Sequence, residues 1–328
     1  MSDEAPAPIA PPPHAAQGRF PALVFLVGPT AVGKTAVAIA LAQRIDAEIL
    51  SIDSRQAYRR LDIGTAKPTR AERAAIPHHL LDLFDPVEIA SAEAFARQYR
   101  IALAGVHLRG KRALAVGGAG LYVDACLGRL DPLPPADAQI RSEHERLRER
   151  EGPEALHRLL AERDPETAAS LAPRDFKRVS RALEVQALTG RPMSALRTRA
   201  GPWDLSNGPP MFLLVRARAD LNRRIAGRAQ EMMEEGLVEE VRALIADGIS
   251  PSAPGMESIG YHDFARALAG KIEWESAVRA FVQRTRRYAK RQMTWFRNRY
   301  RGVIEIPIPA EEPPAHTAGR IASILEDA

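Results

Sequence analysis

The chain has 328 residues, 45% of them hydrophobic, and 46 Lys and Arg against 41 Asp and Glu give a net charge of +5 at pH 7. That is ample material for a buried core, and no stretch approaches the roughly 18 consecutive apolar residues of a membrane-spanning helix, so no membrane partner is expected. One cysteine, Cys126, excludes an internal disulfide framework and suits a reducing cytoplasm. The eight histidines, the pair at His78 and His79 included, do not fall at metal-ligand spacing with Cys or carboxylates, which argues against zinc.

Residues 1–20 are rich in Pro and Ala, carry two early acids and lack an apolar h-region. They read as a disordered lead-in rather than a signal or transit peptide. ALVFLV at 22–27 predicts a buried strand, followed by GPTAVGKT and an alanine-rich helical pattern. Further strands are predicted at 48–53 (EILSID), at 113–116 (ALAV, running into GGAG) and at 211–217 (MFLLVRA). Strands alternating with helices indicate an α/β core with a mainly parallel sheet, over residues 21–136 and 190–304. From 137 to 189 the pattern is helical and charged, which predicts a helical insertion entered at LPPAD and left at TGRP. A turn-rich connection is expected at 197–210 and a tail at 305–328. No internal repeat or oligomerisation signature is evident, so a monomer is the default.

Residues 28–35, Gly28, Pro29, Thr30, Ala31, Val32, Gly33, Lys34 and Thr35, satisfy G-x-x-x-x-G-K-[ST] between a strand and a helix. The glycines let successive N–H groups converge on a phosphate, and the following helix N-terminus adds partial positive charge. Lys34 can meet the outer oxygens, and the Thr35 hydroxyl can ligate Mg²⁺. The motif does not specify which phosphate compound is bound. Asp53 closes the second strand and should face this loop, because ligands of open α/β sheets lie beyond the carboxyl ends of the strands. As a residue alone it is either a Mg²⁺ ligand of an ATPase or kinase, or a general base. Between Glu275 and Glu305 there is no acid but nine Lys and Arg, Arg287 and Lys290 among them, interleaved with Phe281, Tyr288 and Trp295 every seventh residue. This segment reads equally as a solvated helix face with a packed aromatic stripe, or as an RNA-binding surface.

Several motifs in order, GPTAVGKT, DSRQAYRRLDIGTAKP at 53–68, PHHLLDLFDP at 77–86, VGGAGLY at 116–122, MMEEGLVEEV at 232–241 and TRRYAKRQMTWFR at 285–297, resemble the tRNA dimethylallyltransferases. The resemblance spans about residues 22–300. It implies a P-loop NTPase-like fold whose loop holds the diphosphate of dimethylallyl diphosphate, with Mg²⁺ at Thr35 and no ATP. The acceptor would be the exocyclic amine of the adenosine 3′ of the anticodon (position 37), in tRNAs reading codons that begin with U. Asp53 would be the general base, with Thr30 and Arg224 also at the reacting diphosphate. The tRNA anticodon stem-loop would be met by Asp53, Ser54, Arg55 and Gln56, by Ala119 and Arg141, and by Lys177, Arg178, Val179, Ser180 and Arg181. Two departures stand out: Ala119 replaces the usual Thr of GGTxLY, and residues 172–175 read APRD where the family has HPND. A small-molecule P-loop kinase, an adenylate isopentenyltransferase and an RNA-binding nucleotide sensor are the alternatives.

Overall fold

The computed structural model describes residues 20–197 and 202–327, so nearly all of the expected lead-in and part of the connection at 197–210 lie outside the described residues. In chain order the strands are β1 (Leu23–Val27), β2 (Ala47–Ile52), β3 (His78–His79), β4 (Arg112–Gly117), β5 (Trp203–Asp204), β6 (Met211–Val215), β7 (Tyr300–Arg301) and β8 (Ile304–Pro307). Six form one parallel sheet in the order β3-β2-β4-β1-β6-β8, as the alternation of strands and helices predicts. The very short β5 and β7 pair separately. Two units emerge, one comprising residues 1–128 and 202–328, the other Arg129–Gly201.

The central strands are continuously apolar because both of their faces are covered. Val24 and Leu26 of β1, Leu114 and Val116 of β4, and Phe212 and Leu214 of β6 enter one core layer. Their neighbours Phe25 and Val27, Ala113 and Ala115, and Met211 and Leu213 enter the other. The first layer is covered by α1 (Lys34–Ile45). After α2 (Arg70–Ala75), the second is covered by α3 (Ala92–Leu108) and α4 (Gly120–Cys126). Residues 305–328, expected as a tail, instead complete the core. The short alternation in IEIP makes β8 an edge strand on β6, leaving Ile306 buried. The helix that follows, numbered α14 below, sets Ala318, Ile321, Ala322 and Leu325 in the same layer as α1.

The Arg129–Gly201 unit is helical among its described residues. It holds α5 (Ala138–Glu151), α6 (Ala155–Arg163), α7 (Pro165–Ala169), α8 (Phe176–Thr189) and α9 (Met193–Leu196), and its core extends past 137–189 to take in Leu133, Met193 and Leu196. Asp175 caps α8 by accepting from Arg178 N, so the altered APRD segment still closes a working turn. Beneath α5 lies Glu184, 0% exposed. It accepts from Arg141 Nε at 2.9 Å, Arg181 Nη1 at 2.6 Å and Asp137 N at 2.7 Å. Burial pushes this carboxyl up, but the bonds from Arg141 and Arg181 outweigh it and hold it below the usual glutamate range. Its stabilisation is therefore complete above about pH 4.3, the unfolded value, and is lost as pH falls through the lowered one. Glu184→Ala should lower unfolding free energy by about 2–3 kcal/mol at pH 7 in urea titration, the arginines' partial access to water sparing some of the full cost of breaking a buried pair. Residual destabilisation under about 0.5 kcal/mol would mean the network does not hold the unit together.

The first unit resumes after the insertion with α10 (Arg218–Glu234), α11 (Leu237–Ala246), α12 (Tyr261–Leu268), the long α13 (Trp274–Arg299) and α14 (Pro314–Glu326). Residues of α11, α12 and α13 share a third core cluster with Tyr58 and Leu61. Among the described residues no helix is long and apolar enough to cross a membrane.

Candidate active site

β4 lies between β1 and β2, so the loop after β1 and the residue after β2 meet across the carboxyl end of β4. The loop curls because Gly33, at φ +104°, occupies the left-handed region as the N-cap of α1. Lys34 folds back over it, donating from Nζ to Gly28 O at 2.9 Å and Pro29 O at 2.7 Å. Desolvation lowers its pKa to about 7, with Asp53 pulling it up and Arg228 pushing it further down. Lys34, Thr35, Ser51, Asp53 and Gln56 line one small cavity of about 40 Å³.

Asp53 is fixed by the chain that follows it. One carboxylate oxygen accepts from Arg55 N at 2.8 Å and Gln56 N at 3.4 Å, and the other takes no hydrogen bond from the described residues. Gln56 is set in turn: its Oε1 accepts from Ser51 Oγ at 2.8 Å, and its Nε2 donates to Thr65 O and Ala66 O. That explains why IGTAKP matters beside DSRQ. Lys67, 7% exposed, donates to Tyr58 O and pairs with Asp62 and Asp82, pinning the loop against which Gln56 rests.

Arginines close the other side. Arg224 donates from Nε to Ala31 O at 2.9 Å, which sets its guanidinium beside the loop. Arg216, just past β6, makes the matching bond to Val32 O at 2.9 Å and is anchored by Asp220 at 3.0 Å. Arg228, one helical turn beyond Arg224, sits in the field of Asp53, and burial lowers its pKa. Across the cavity, α13 presents Gln292, bonded to Thr30 N, and Tyr288, whose phenol is raised by burial and then by Asp53. Sequence reasoning missed Arg216, Arg228 and Gln292 as site residues and left Tyr288 inside an aromatic stripe. The only signals were that Arg216 is next to last in the predicted strand MFLLVRA, that Arg228 follows Arg224 by four residues, and that Tyr288 and Gln292 fall within TRRYAKRQMTWFR.

The predicted RNA contacts divide. Of Ser54, Arg55 and Gln56, only Gln56 lines the cavity, and it spends its amide inside the protein, while Arg55 donates to Pro254 O at 3.1 Å. Ala119 is 8% exposed at the start of α4. In the helical unit Lys177 and Arg178 are exposed, Arg178 pairing with Asp175 at 3.3 Å. Val179 is 1% exposed and packs in that unit's core, and Ser180 is 4% exposed and bonded to His144. As side chains these two are corrected from surface contacts to interior ones. Arg141 and Arg181 are committed to Glu184.

The basic segment forms α13. Arg284, Arg297 and Arg299 pair with Asp263, Glu305 and Asp124. Arg287, Lys290, Arg291, Trp295 and Arg299 line an open groove of about 630 Å³. Arg287 and Lys290 form no ion pair with any described residue. The aromatic stripe splits: Phe281 is core, whereas Trp295 is 36% exposed in the groove.

The IPP transferase model matches residues 56–299, well over half of the chain. The chain belongs to the IPP transferase family. A second model, isopentenyl transferase, covers residues 21–82 and so takes in the loop. Among relatives of the chain, a tRNA dimethylallyltransferase of Halorhodospira halophila is 46% identical over 283 residues, 86% of this chain and 91% of the relative. That of Myxococcus xanthus is 46% identical over 288 residues, 88% and 93% of the two chains. The crystal structure of a tRNA isopentenylpyrophosphate transferase from Bacillus halodurans superposes with a TM-score of 0.66 at 37% identity, covering 93% and 97% of the two chains. A eukaryotic dimethylallyltransferase acting on tRNA superposes with a TM-score of 0.66 at 26% identity, covering 87% and 73%.

Proposed function

We propose that the protein transfers a dimethylallyl group from dimethylallyl diphosphate to the exocyclic amine of the adenosine 3′ of the anticodon in tRNAs reading codons that begin with U. The observation that carries this is the facing pair of Lys34 and Asp53 on one cavity, a cation for a departing diphosphate opposite a carboxylate for an incoming amine. The amine's lone pair is delocalised into the ring, so attack on the allylic carbon needs a base to take its proton. The nitrogen–carbon bond forms, the carbon–oxygen bond to diphosphate breaks, and the proton passes to Asp53. The loop amides, Lys34 and Arg224 receive the charge that collects on the leaving oxygen. Thr30 lies in that loop, its N–H held by Gln292.

The residues at the cavity also fit Mg²⁺. Thr35, Ser51 and Asp53 offer hard oxygen donors, beside Lys34 and His78 in the same lining. Mg²⁺ ordinarily takes one or two protein oxygens and fills the rest of its shell with phosphate and water. The Thr35 hydroxyl would hold it, and the ion would offset charge on the diphosphate when bound. One chain carries the loop, the base and the basic groove, so a monomer suffices, and a single cysteine suits the cytoplasm.

Mass analysis of an anticodon stem-loop incubated with the protein, Mg²⁺ and dimethylallyl diphosphate, without ATP, tests the reading. A gain of one dimethylallyl group on that adenosine supports it. Modification of free adenylate alone would replace it with the nucleotide prenyltransferase reading. Reversing charge at Arg287 and Lys290 should weaken stem-loop binding and make the log–log salt dependence shallower by about 1.4 or more, from two lost phosphate contacts. An unchanged slope would return α13 to a solvated face.

A further inference from the structure

Gln292 is 5% exposed and lies on α13, far in sequence from the two backbone groups its amide bonds. Its Oε1 accepts from Thr30 N at 2.9 Å and its Nε2 donates to Gly118 O at 2.9 Å. One partner is an N–H and the other a carbonyl, so only one orientation of the amide satisfies both. The side chain is locked.

The peptide it grips is the one between Pro29 and Thr30. The carbonyl of that same peptide, Pro29 O, accepts from Lys34 Nζ at 2.7 Å. Gln292 and Lys34 thus hold opposite edges of one rigid plane, because a peptide cannot turn its N–H without turning its C=O. Gly118 completes the fit. A Cβ there would stand 2.2 Å from Gln292 Nε2 and 2.8 Å from Gly28 O, so only glycine lets the amide reach the loop.

We infer that Gln292 is a positioning residue for the transfer reaction, which fixes the Pro29–Thr30 peptide and through it the place from which Lys34 meets the diphosphate. The inference rests on the proposed reading that the loop takes a diphosphate. Thr30 N–H, engaged by Gln292, is withheld from the anion, and Val32 N donates to Pro29 O at 3.4 Å on the other edge of the same peptide. Gln292 itself touches no reacting atom. Its action runs through Lys34.

The test uses the full chain and inorganic pyrophosphate as the probe, with anticodon stem-loop RNA measured alongside. Gln292→Met keeps the length of the side chain and removes both hydrogen bonds. It should raise the pyrophosphate Kd about tenfold, as expected for a buried polar group left without its partner, and leave the RNA Kd within about twofold. Gln292→Glu, which retains the acceptor for Thr30 N, should recover part of that loss and serves in its place should the Met variant not fold. The deciding measurement is the double variant. In a Lys34→Met background, Gln292→Met should cost less than about twofold further, because its route is already cut. A full additional tenfold loss, an unchanged pyrophosphate Kd, or equal weakening toward RNA would each overturn the inference. Wild-type protein that fails to bind pyrophosphate would overturn the diphosphate reading as well, which the other outcomes leave standing.

Discussion

Asp53→Asn lowers single-turnover dimethylallyl transfer by about a thousandfold, within the range for loss of a positioned general base, and leaves stem-loop affinity within about threefold. Asparagine keeps the shape of the side chain and can still accept from Arg55 N, so the turn that places Gln56 survives. What disappears is the carboxylate's capacity to take the amine proton. Asp53→Ala should be at least as severe, since it also releases the turn. A rate within about tenfold of wild type in the asparagine variant would remove Asp53 from the base role and leave it as an electrostatic partner of Lys34. Raising pH would not rescue either variant, because the amine itself does not ionise in an accessible range.

Pyrophosphate binding is expected to weaken as pH rises above about 7, by up to tenfold per unit, with uptake of a proton on binding. The cause is Lys34, whose pKa burial lowers to about 7. Above that value the ammonium is deprotonated in the free protein, and a polyanion restores it. Calorimetry in buffers of different ionisation enthalpy would show the uptake at pH 8. Lys34→Met should abolish the uptake attributable to the protein, and the same titration on that variant removes the ligand's own ionisation. The linkage to stability has the opposite sense. Between about 7 and the ordinary 10.5 the unfolded chain holds the proton that the folded chain has lost, so this residue makes unfolding free energy rise with pH over that window. A Lys34→Met protein with an unaltered slope across it would show that the lysine is not desolvated in solution.

The phosphate loop was legible because eight consecutive residues carry the whole device, and Asp53 because strand ends in a parallel sheet face the ligand. Gln292 was not, since it lies 262 residues from the amide it grips and only packing joins them. Arg216 and Arg228 were hidden the same way, each an arginine like many others until β6 and α10 bring them to the loop. The helical unit shows a different limit. KRVSR reads in sequence as a continuous contact segment, yet an α-helix turns by about 100° per residue, so Val179 and Ser180 face inward while Lys177 and Arg178 face water. β8 escaped because four residues ending in proline carry too little alternation to distinguish an edge strand from a loop, and α14 was lost with it.

The strand order also governs how the chain is made. β1 pairs with β4, Leu23 opposite Ala113, and with β6, Phe25 opposite Met211. A ribosome adding about 5–20 residues per second delivers the second partner roughly 10–40 s after the first strand emerges. Throughout that interval the apolar centre of the sheet has one edge open. The Arg129–Gly201 unit, contiguous and helical, is synthesised within the wait and has all its own contacts at hand. The nascent protein therefore presents a finished lobe beside an unfinished sheet, and the speed of translation through that lobe sets how long the sheet stays open to aggregation or to a chaperone.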